Sequence, residues 1–109
     1  MTTASKPQHL EALELANKVR LYRSTLKREL RDLSRADGMV YVSKVLDHLP
    51  AELSTMRVEA LLLAINKFGQ TRATRTLTKA GISPFRTFEG LTLRQVSALA
   101  QVLKEGAEA

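Results

Sequence analysis

Six apolar residues in the first third of the chain recur at spacings of 4, 3, 4, 4 and 3 positions, and this spacing constrains the fold most strongly. They are Leu15, Val19, Tyr22, Leu26, Leu30 and Leu33. Only an α-helix, with about 3.6 residues per turn, places all six on one face. The pattern therefore predicts a long amphipathic helix over residues 9–35, preceded by a flexible polar tail (1–8) and ended by Asp37-Gly38.

The rest of the chain, residues 36–109, predicts one small helical domain. The apolar spacing predicts helices over residues 39–49, 56–67, 71–80 and 93–105. Residues 39–42 could form a short strand, but the sequence has no second strand-like run to pair with it. The predicted fold class is therefore all-α, a long N-terminal helix joined to a small helical domain.

Glycines and hydroxyl residues mark the predicted helix ends. Ser54 or Thr55 is expected to cap the helix over residues 56–67, and Thr92 with Gln95 fits a capping box. The other predicted helix ends fall at glycines that follow the last apolar position: Gly69, Gly81 and Gly106. Ile82 is expected to pack back on the core after Gly81.

The predicted core is mostly aliphatic, because the chain has two Tyr, three Phe and no Trp. Phe85 and Phe88 stand three residues apart in the long connection before Thr92 and predict one helical turn pinned to the core. The inner face of the last helix is predicted to consist of Leu93, Val96, Leu99, Ala100 and Leu103.

The charge of the chain is unevenly distributed along the sequence. Lys and Arg number 17 against 11 Asp and Glu, a formal net charge of +6. Residues 1–35 and 66–94 are basic, whereas the residues between them are acidic, so the excess predicts a polyanionic partner. On the first helix the acids lie on one side of the apolar face, and the other side includes Arg20, Arg23, Lys27 and Arg31.

The stretch from Lys67 to Arg94 carries the strongest functional signal, with six bases and one acid. Helix starts at Gly69 and at Thr92 are expected to present backbone N–H groups to phosphate. Gly69 would let a phosphate approach the backbone closely. The candidate nucleic-acid-binding residues of this stretch are Lys67, Gly69, Gln70, Thr71, Arg72, Arg75, Lys79, Arg86 and Arg94.

Other functional classes are not expected. The chain has no Cys, and Asp47-His48 is not accompanied by a nucleophile motif or a metal-ligand cluster. The longest apolar run, residues 60–65, is far shorter than the roughly 20 residues that a membrane-spanning helix needs. We therefore expect a cytoplasmic protein without enzymatic activity, metal or cofactor.

Several short motifs resemble the actinobacterial integration host factors, nucleoid-associated proteins of mycobacteria and Streptomyces. The motifs lie at residues 55–62, 68–73, 81–84, 90–91 and 94–95. The resemblance implies a helix-two-turn-helix fold and sequence-tolerant binding of double-stranded DNA, with DNA bending or compaction and support of site-specific recombination. It implies DNA contacts at Arg72, Arg86 and Arg94. The family is more basic where this chain has Thr87 and Glu89. This departure predicts weaker binding through the loop, a shifted contact surface, or a divergent or phage-encoded member with another partner.

We therefore predict a DNA-binding, nucleoid-associated architectural protein. It is expected to be a monomer, and association on DNA is left open. Two other functions also fit the sequence: an RNA- or ribosome-associated protein, and a protein–protein adaptor that acts through the first helix.

Overall fold

The computed structural model describes residues 8–108, and this part of the chain forms five α-helices and two short 3-10 turns. The helices are α1 (Gln8–Asp32), α2 (Arg35–Asp47), α3 (Val58–Ala64), α4 (Gly69–Ala80) and α5 (Leu93–Glu108). The 3-10 turns are Ala51–Leu53 and Phe88–Gly90. The all-α prediction is confirmed. The tail predicted over residues 1–8 lies outside the described residues except for Gln8, which begins α1.

The break between α1 and α2 lies at Leu33-Ser34. Ser34 caps α2, because its Oγ accepts a hydrogen bond from the Asp37 backbone N at 3.1 Å. Asp37 and Gly38 therefore lie inside α2, and the prediction that they end the first helix is wrong. Gly38 is buried, and a Cβ at this position would lie 3.1 Å from the Ile65 side chain. The glycine serves close packing of α2 rather than helix termination.

Gly106 has the same role in α5. It was predicted to end the last helix, but α5 continues to Glu108. A Cβ on Gly106 would come within 2.6 Å of the Met39 Cε of α2. The missing side chain is therefore what allows Met39 to pack against α5.

α3 spans only Val58–Ala64 and is shorter than the helix predicted over residues 56–67. The prediction that Ser54 or Thr55 caps this helix is wrong, because Arg57 holds the capping position without a side-chain hydrogen bond.

The segment before α3 is extended because it pairs with the connection between α4 and α5. The Val58 backbone N donates to the Arg86 carbonyl at 3.1 Å, and the Phe88 backbone N donates to the Met56 carbonyl at 3.1 Å. An isolated antiparallel β-bridge lies between these two hydrogen bonds. The pairing fixes the connection to the core.

Two local motifs at the ends of this connection are confirmed. Gly81 ends α4 in the left-handed conformation with φ of +71°, and the backbone N of the buried Ile82 donates to the Leu77 carbonyl at 2.9 Å. At the start of α5, Gln95 N donates to Thr92 Oγ1 at 3.1 Å and Thr92 N donates to Gln95 Oε1 at 3.0 Å. In both motifs the hydrogen bonds join residues that are only a few positions apart in the sequence.

The core is mostly aliphatic, as predicted, and Phe68 and Phe88 are its largest fully buried side chains. The predicted apolar face of α1 enters the core only in its second half, through Leu26 and Leu30. Leu15 is 62% exposed because the first half of α1 projects past the domain.

Two predicted core positions are wrong. Phe85 is 73% exposed, because the chain makes a turn at residues 83–86 instead of a helical turn that would carry Phe85 inward with Phe88. Leu93 is 90% exposed at the first position of α5. Leu99, Ala100 and Leu103 are buried as predicted, and Val96 is half-buried.

Candidate nucleic-acid interface

The turn between α3 and α4 places two residues in the left-handed region, Lys67 with φ of +58° and Gly69 with φ of +71°. Phe68, between them, is fully buried and anchors the turn. A non-glycine residue with positive φ is uncommon, and here the anchor at Phe68 holds the exposed Lys67 in place. Gly69 begins α4, so the prediction that it ends the preceding helix is wrong.

The start of α4 has no side-chain cap. A Cβ on Gly69 would have no heavy atom within 4 Å, so the approach to the backbone is open. An uncapped helix start leaves backbone N–H groups and the positive end of the helix dipole available to an anion. The residues that line a shallow depression at this end are Lys67, Phe68, Gly69, Gln70, Thr71, Arg72 and Arg75. The Gln70 side chain is already engaged, because its Nε2 donates to Glu59 Oε2 at 3.0 Å.

A row of cations follows along the exposed face of α4. Arg72, Arg75 and Lys79 are exposed, and the opposite face buries Ala73 and Leu77 in the core. Among the residues that the structure describes, none forms a hydrogen bond or an ion pair with the side chain of Arg72, Arg75 or Lys79. These three charges are therefore available to an external anion.

The start of α5 differs from that of α4, because the Thr92 side chain caps it. One of the backbone N–H groups predicted to face a phosphate, that of Gln95, is thus satisfied internally. The Gln95 side chain also donates from Nε2 to the Gly81 carbonyl at 3.0 Å and ties α5 to the end of α4. Arg94 is exposed beside this cap. The α4 start is therefore the stronger candidate of the two predicted phosphate sites.

The connection between α4 and α5 presents two arginines at the surface. Arg86, predicted as a DNA contact, is exposed, and its side chain lies over Gly90. Its Nη1 is 3.5 Å from the point that a Cβ on residue 90 would occupy. The second, Arg57, was not predicted. Its guanidinium lies 5.5 Å from the centre of the Phe85 ring. Arg57 lies within the family-like motif at residues 55–62, but helical periodicity and charge distribution do not single it out, because the pairing of distant segments places it beside the connection.

The predicted bases of α1 lie together but are not equivalent. Arg20, Arg23, Lys27 and Arg31 line one shallow groove along the helix with Leu15, Val19 and smaller residues. Arg20 Nη1 donates to Asn17 Oδ1 at 3.0 Å within α1 itself. Arg23 is bonded outside α1, because its Nε donates to the Glu52 carbonyl at 2.8 Å and its Nη2 to Thr55 Oγ1 at 2.8 Å. Arg23 therefore attaches α1 to the domain, and its prediction as a phosphate contact competes with this role.

One exposed acid of α1, Glu29, contacts α2. The Tyr41 hydroxyl donates to Glu29 Oε2 at 3.2 Å. Burial, followed by the nearby charge of Glu29, raises the pKa of Tyr41 above its ordinary value of 10.0. Burial and the charge of Glu52 raise the pKa of Tyr22 in the same direction.

Most of the predicted residues thus fall into two groups, one at the start of α4 and one on α1, and each group lines a depression of its own, whereas Lys79, Arg86 and Arg94 line neither. The end of α1 lies beside the α3–α4 turn, because Asn66 Nδ2 donates to the Leu33 carbonyl at 3.4 Å. Whether the two groups form one continuous positive surface stays a prediction.

No helix among the described residues has both the length and the apolar character needed to cross a membrane. The same residues contain no group of three His, Asp or Glu side chains that could hold a metal ion.

Comparison with known proteins agrees with this architecture. The sequence model of the family described as S13-like H2TH domain matches residues 37–103, which include most of α2 and α5. The chain is also similar to the integration host factor of Mycobacterium tuberculosis (strain ATCC 25618 / H37Rv), with 35% identity over 94 residues, or 84% of this chain and 85% of the relative. No solved structure matches the chain.

The fold and the family match define a helix-two-turn-helix protein of the S13-like class. Within this class, the chain belongs to the family of the mycobacterial integration host factor. The family predicted from the short motifs is confirmed.

Proposed function

We propose that this protein is an architectural DNA-binding protein that holds the phosphate backbone of duplex DNA with little sequence preference. The observation that carries the proposal is the row of exposed, unpaired cations on α4, Arg72, Arg75 and Lys79, beside a helix start without a side-chain cap. Guanidinium groups bind phosphate through two parallel hydrogen bonds, and a helix N-terminus favours an anion over a neutral ligand.

The α4 surface supplies the principal contacts in this proposal. A phosphate at Gly69 would accept hydrogen bonds from the first backbone N–H groups of α4, and Lys67 and Arg72 would neutralise it. Arg75 and Lys79 would hold the next phosphates along the strand. Arg86 in the α4–α5 connection and Arg94 in the first turn of α5 would add further phosphate contacts. Such contacts position a protein on DNA without reading its sequence.

The bases of α1 give the proposal a second contact. Arg20, Lys27 and Arg31 are exposed along one groove and would follow neighbouring backbone. Arg23 holds α1 in place while this occurs. A bent duplex would bring more of its backbone to these two groups of bases.

The name of the mycobacterial relative, integration host factor, supports one finer part of the proposal, assistance to site-specific recombination. The proposal also includes bending or compaction of DNA and a nucleoid-associated, cytoplasmic location. The protein is proposed to act as a monomer that associates on DNA, with no membrane partner and no enzymatic step.

Charge reversal tests the α4 surface. The variant with Arg72→Glu and Arg75→Glu is expected to bind all duplex DNA sequences much more weakly in a gel-shift assay at moderate salt. The matched control is Lys44→Glu with Lys104→Glu, which makes the same change in net charge at two exposed lysines outside the proposed surface. Equal loss in both variants, or none in either, would contradict the assigned surface.

The same assay separates the two alternative functions. Stronger binding of A-form duplex RNA than of B-form DNA would favour an RNA-associated protein. A size that grows with protein concentration in the absence of DNA would favour an adaptor that pairs through α1.

A further inference from the structure

Phe85 is the most exposed aromatic side chain on the α4–α5 connection, with 73% of its surface accessible. The chain on both sides of it is anchored, because Ile82 and Phe88 are buried. The turn itself is closed by a hydrogen bond of 3.1 Å from the Arg86 backbone N to the Ser83 carbonyl. The ring is therefore held at the tip of a well-defined turn, outside the core.

The surroundings of the Phe85 ring are cationic. The Arg57 guanidinium lies 5.5 Å from the ring centre, a cation–π distance. Arg86 follows Phe85 directly and is also exposed. The hydrogen bond from Val58 N to the Arg86 carbonyl fixes the two arginine-bearing segments side by side.

This combination matches one kind of partner better than others. A site for another protein's apolar surface would place apolar neighbours around the ring, whereas here the Arg57 guanidinium lies over it and the next residue in the chain is the exposed Arg86. An apolar wedge flanked by arginine is the arrangement by which proteins part a base step from the minor groove, where arginine is electrostatically favoured.

Resting on the proposed function, we propose that Phe85 is a wedge that enters the minor groove of bound duplex DNA and partly unstacks one base step. Arg57 orients the ring in the free protein, and Arg57 and Arg86 face the groove edges in the complex. Stacking of a ring on a base tolerates any sequence, as the proposed function requires. The wedge turns backbone binding into a local kink, toward the major groove.

The wedge is tested with a short duplex that carries 2-aminopurine at one central position and a donor–acceptor dye pair at its ends. The wild-type protein is expected to raise the 2-aminopurine fluorescence and to shorten the end-to-end distance. Phe85→Ala is expected to lose both signals and to weaken binding by about tenfold. Its salt dependence is expected to stay unchanged, because no cation is removed.

Two variants serve as controls. Leu21→Ala removes another exposed apolar side chain, 67% accessible, which lies on α1 but does not line its basic groove, and is expected to behave as the wild type. Phe85→Leu keeps an apolar wedge and is expected to retain part of the kink. Circular dichroism of each variant checks that it is folded.

The outcomes distinguish this inference from the proposed function. If Phe85→Ala binds, bends and unstacks the duplex as well as the wild type does, the wedge is wrong and backbone binding stands. If the wild type binds no duplex DNA at any salt concentration, both fail. If duplex pre-filled with netropsin in its minor groove still gives the full 2-aminopurine signal, the groove assignment is wrong.

Discussion

Replacement of Arg23 by alanine separates the attachment of α1 from the binding of DNA. The guanidinium makes two hydrogen bonds of 2.8 Å, one to the part-buried Glu52 carbonyl and one to the exposed Thr55 hydroxyl. A hydrogen bond from a charged donor contributes about 1.5–3 kcal/mol, and the exposed bond counts for less because water replaces it. We therefore expect Arg23→Ala to lower the free energy of unfolding by ~2 kcal/mol, a shift of roughly 1–2 M in the urea midpoint.

The assay is urea unfolding followed by circular dichroism, with Lys27→Ala as the matched control. Lys27 is exposed on the same helix, and no hydrogen bond or ion pair joins its side chain to another described residue. Lys27→Ala is expected to leave the unfolding midpoint unchanged and to reduce the salt slope of DNA binding by about 1. The reverse result, a stable Arg23→Ala variant with a reduced salt slope, would refute the attachment role and restore Arg23 as a phosphate contact.

Gly69→Ala and Gly81→Ala are each expected to lower the free energy of unfolding by about 1 kcal/mol, because both glycines have φ of +71°. Only Gly69→Ala is expected also to weaken DNA binding. Equal binding by both variants in a gel shift would count against the α4 start as a phosphate site. Above pH 10 the fold is expected to lose stability through Tyr41, whose pKa is higher in the folded than in the unfolded protein. The neutral hydroxyl stabilises the fold fully below the unfolded-state pKa, and this contribution is lost as the pH rises through the folded-state pKa. Tyr41→Phe should reduce this alkaline loss in urea unfolding at pH 9 and 11, and an unchanged loss would contradict the Glu29–Tyr41 assignment.

Those parts of the fold that depend on neighbouring residues were predictable from the sequence. The apolar spacing of α1, the glycine end of α4 and the Thr92–Gln95 capping box each need only a few consecutive side chains, and all three are present. The same locality explains why the candidate cations of α4 were found, since their face follows directly from helical periodicity.

Those parts that depend on tertiary packing were not predictable. Glycine is typical of helix ends, but Gly38 and Gly106 lie inside helices, where Ile65 and Met39 pack against them. Periodicity cannot separate Phe88, which is buried, from Phe85, which is exposed.

The parts of the candidate site that depend on tertiary packing were also not predictable from the sequence. Arg57 joins the site through hydrogen bonds between segments far apart in sequence, and Arg23 is withdrawn from it by bonds to Glu52 and Thr55. One sequence cannot reveal such pairings, because no local pattern records which distant segment a residue will meet.

In the proposed function this protein holds DNA through several phosphates at once. The affinity of the wild-type protein for a short duplex, measured by fluorescence anisotropy over a series of salt concentrations, tests this most directly. Neutralisation of about five phosphates predicts a slope of roughly −4 to −5 in the plot of log association constant against log salt concentration. A slope near zero would mean that binding does not release counterions, and the proposed electrostatic mechanism would be wrong.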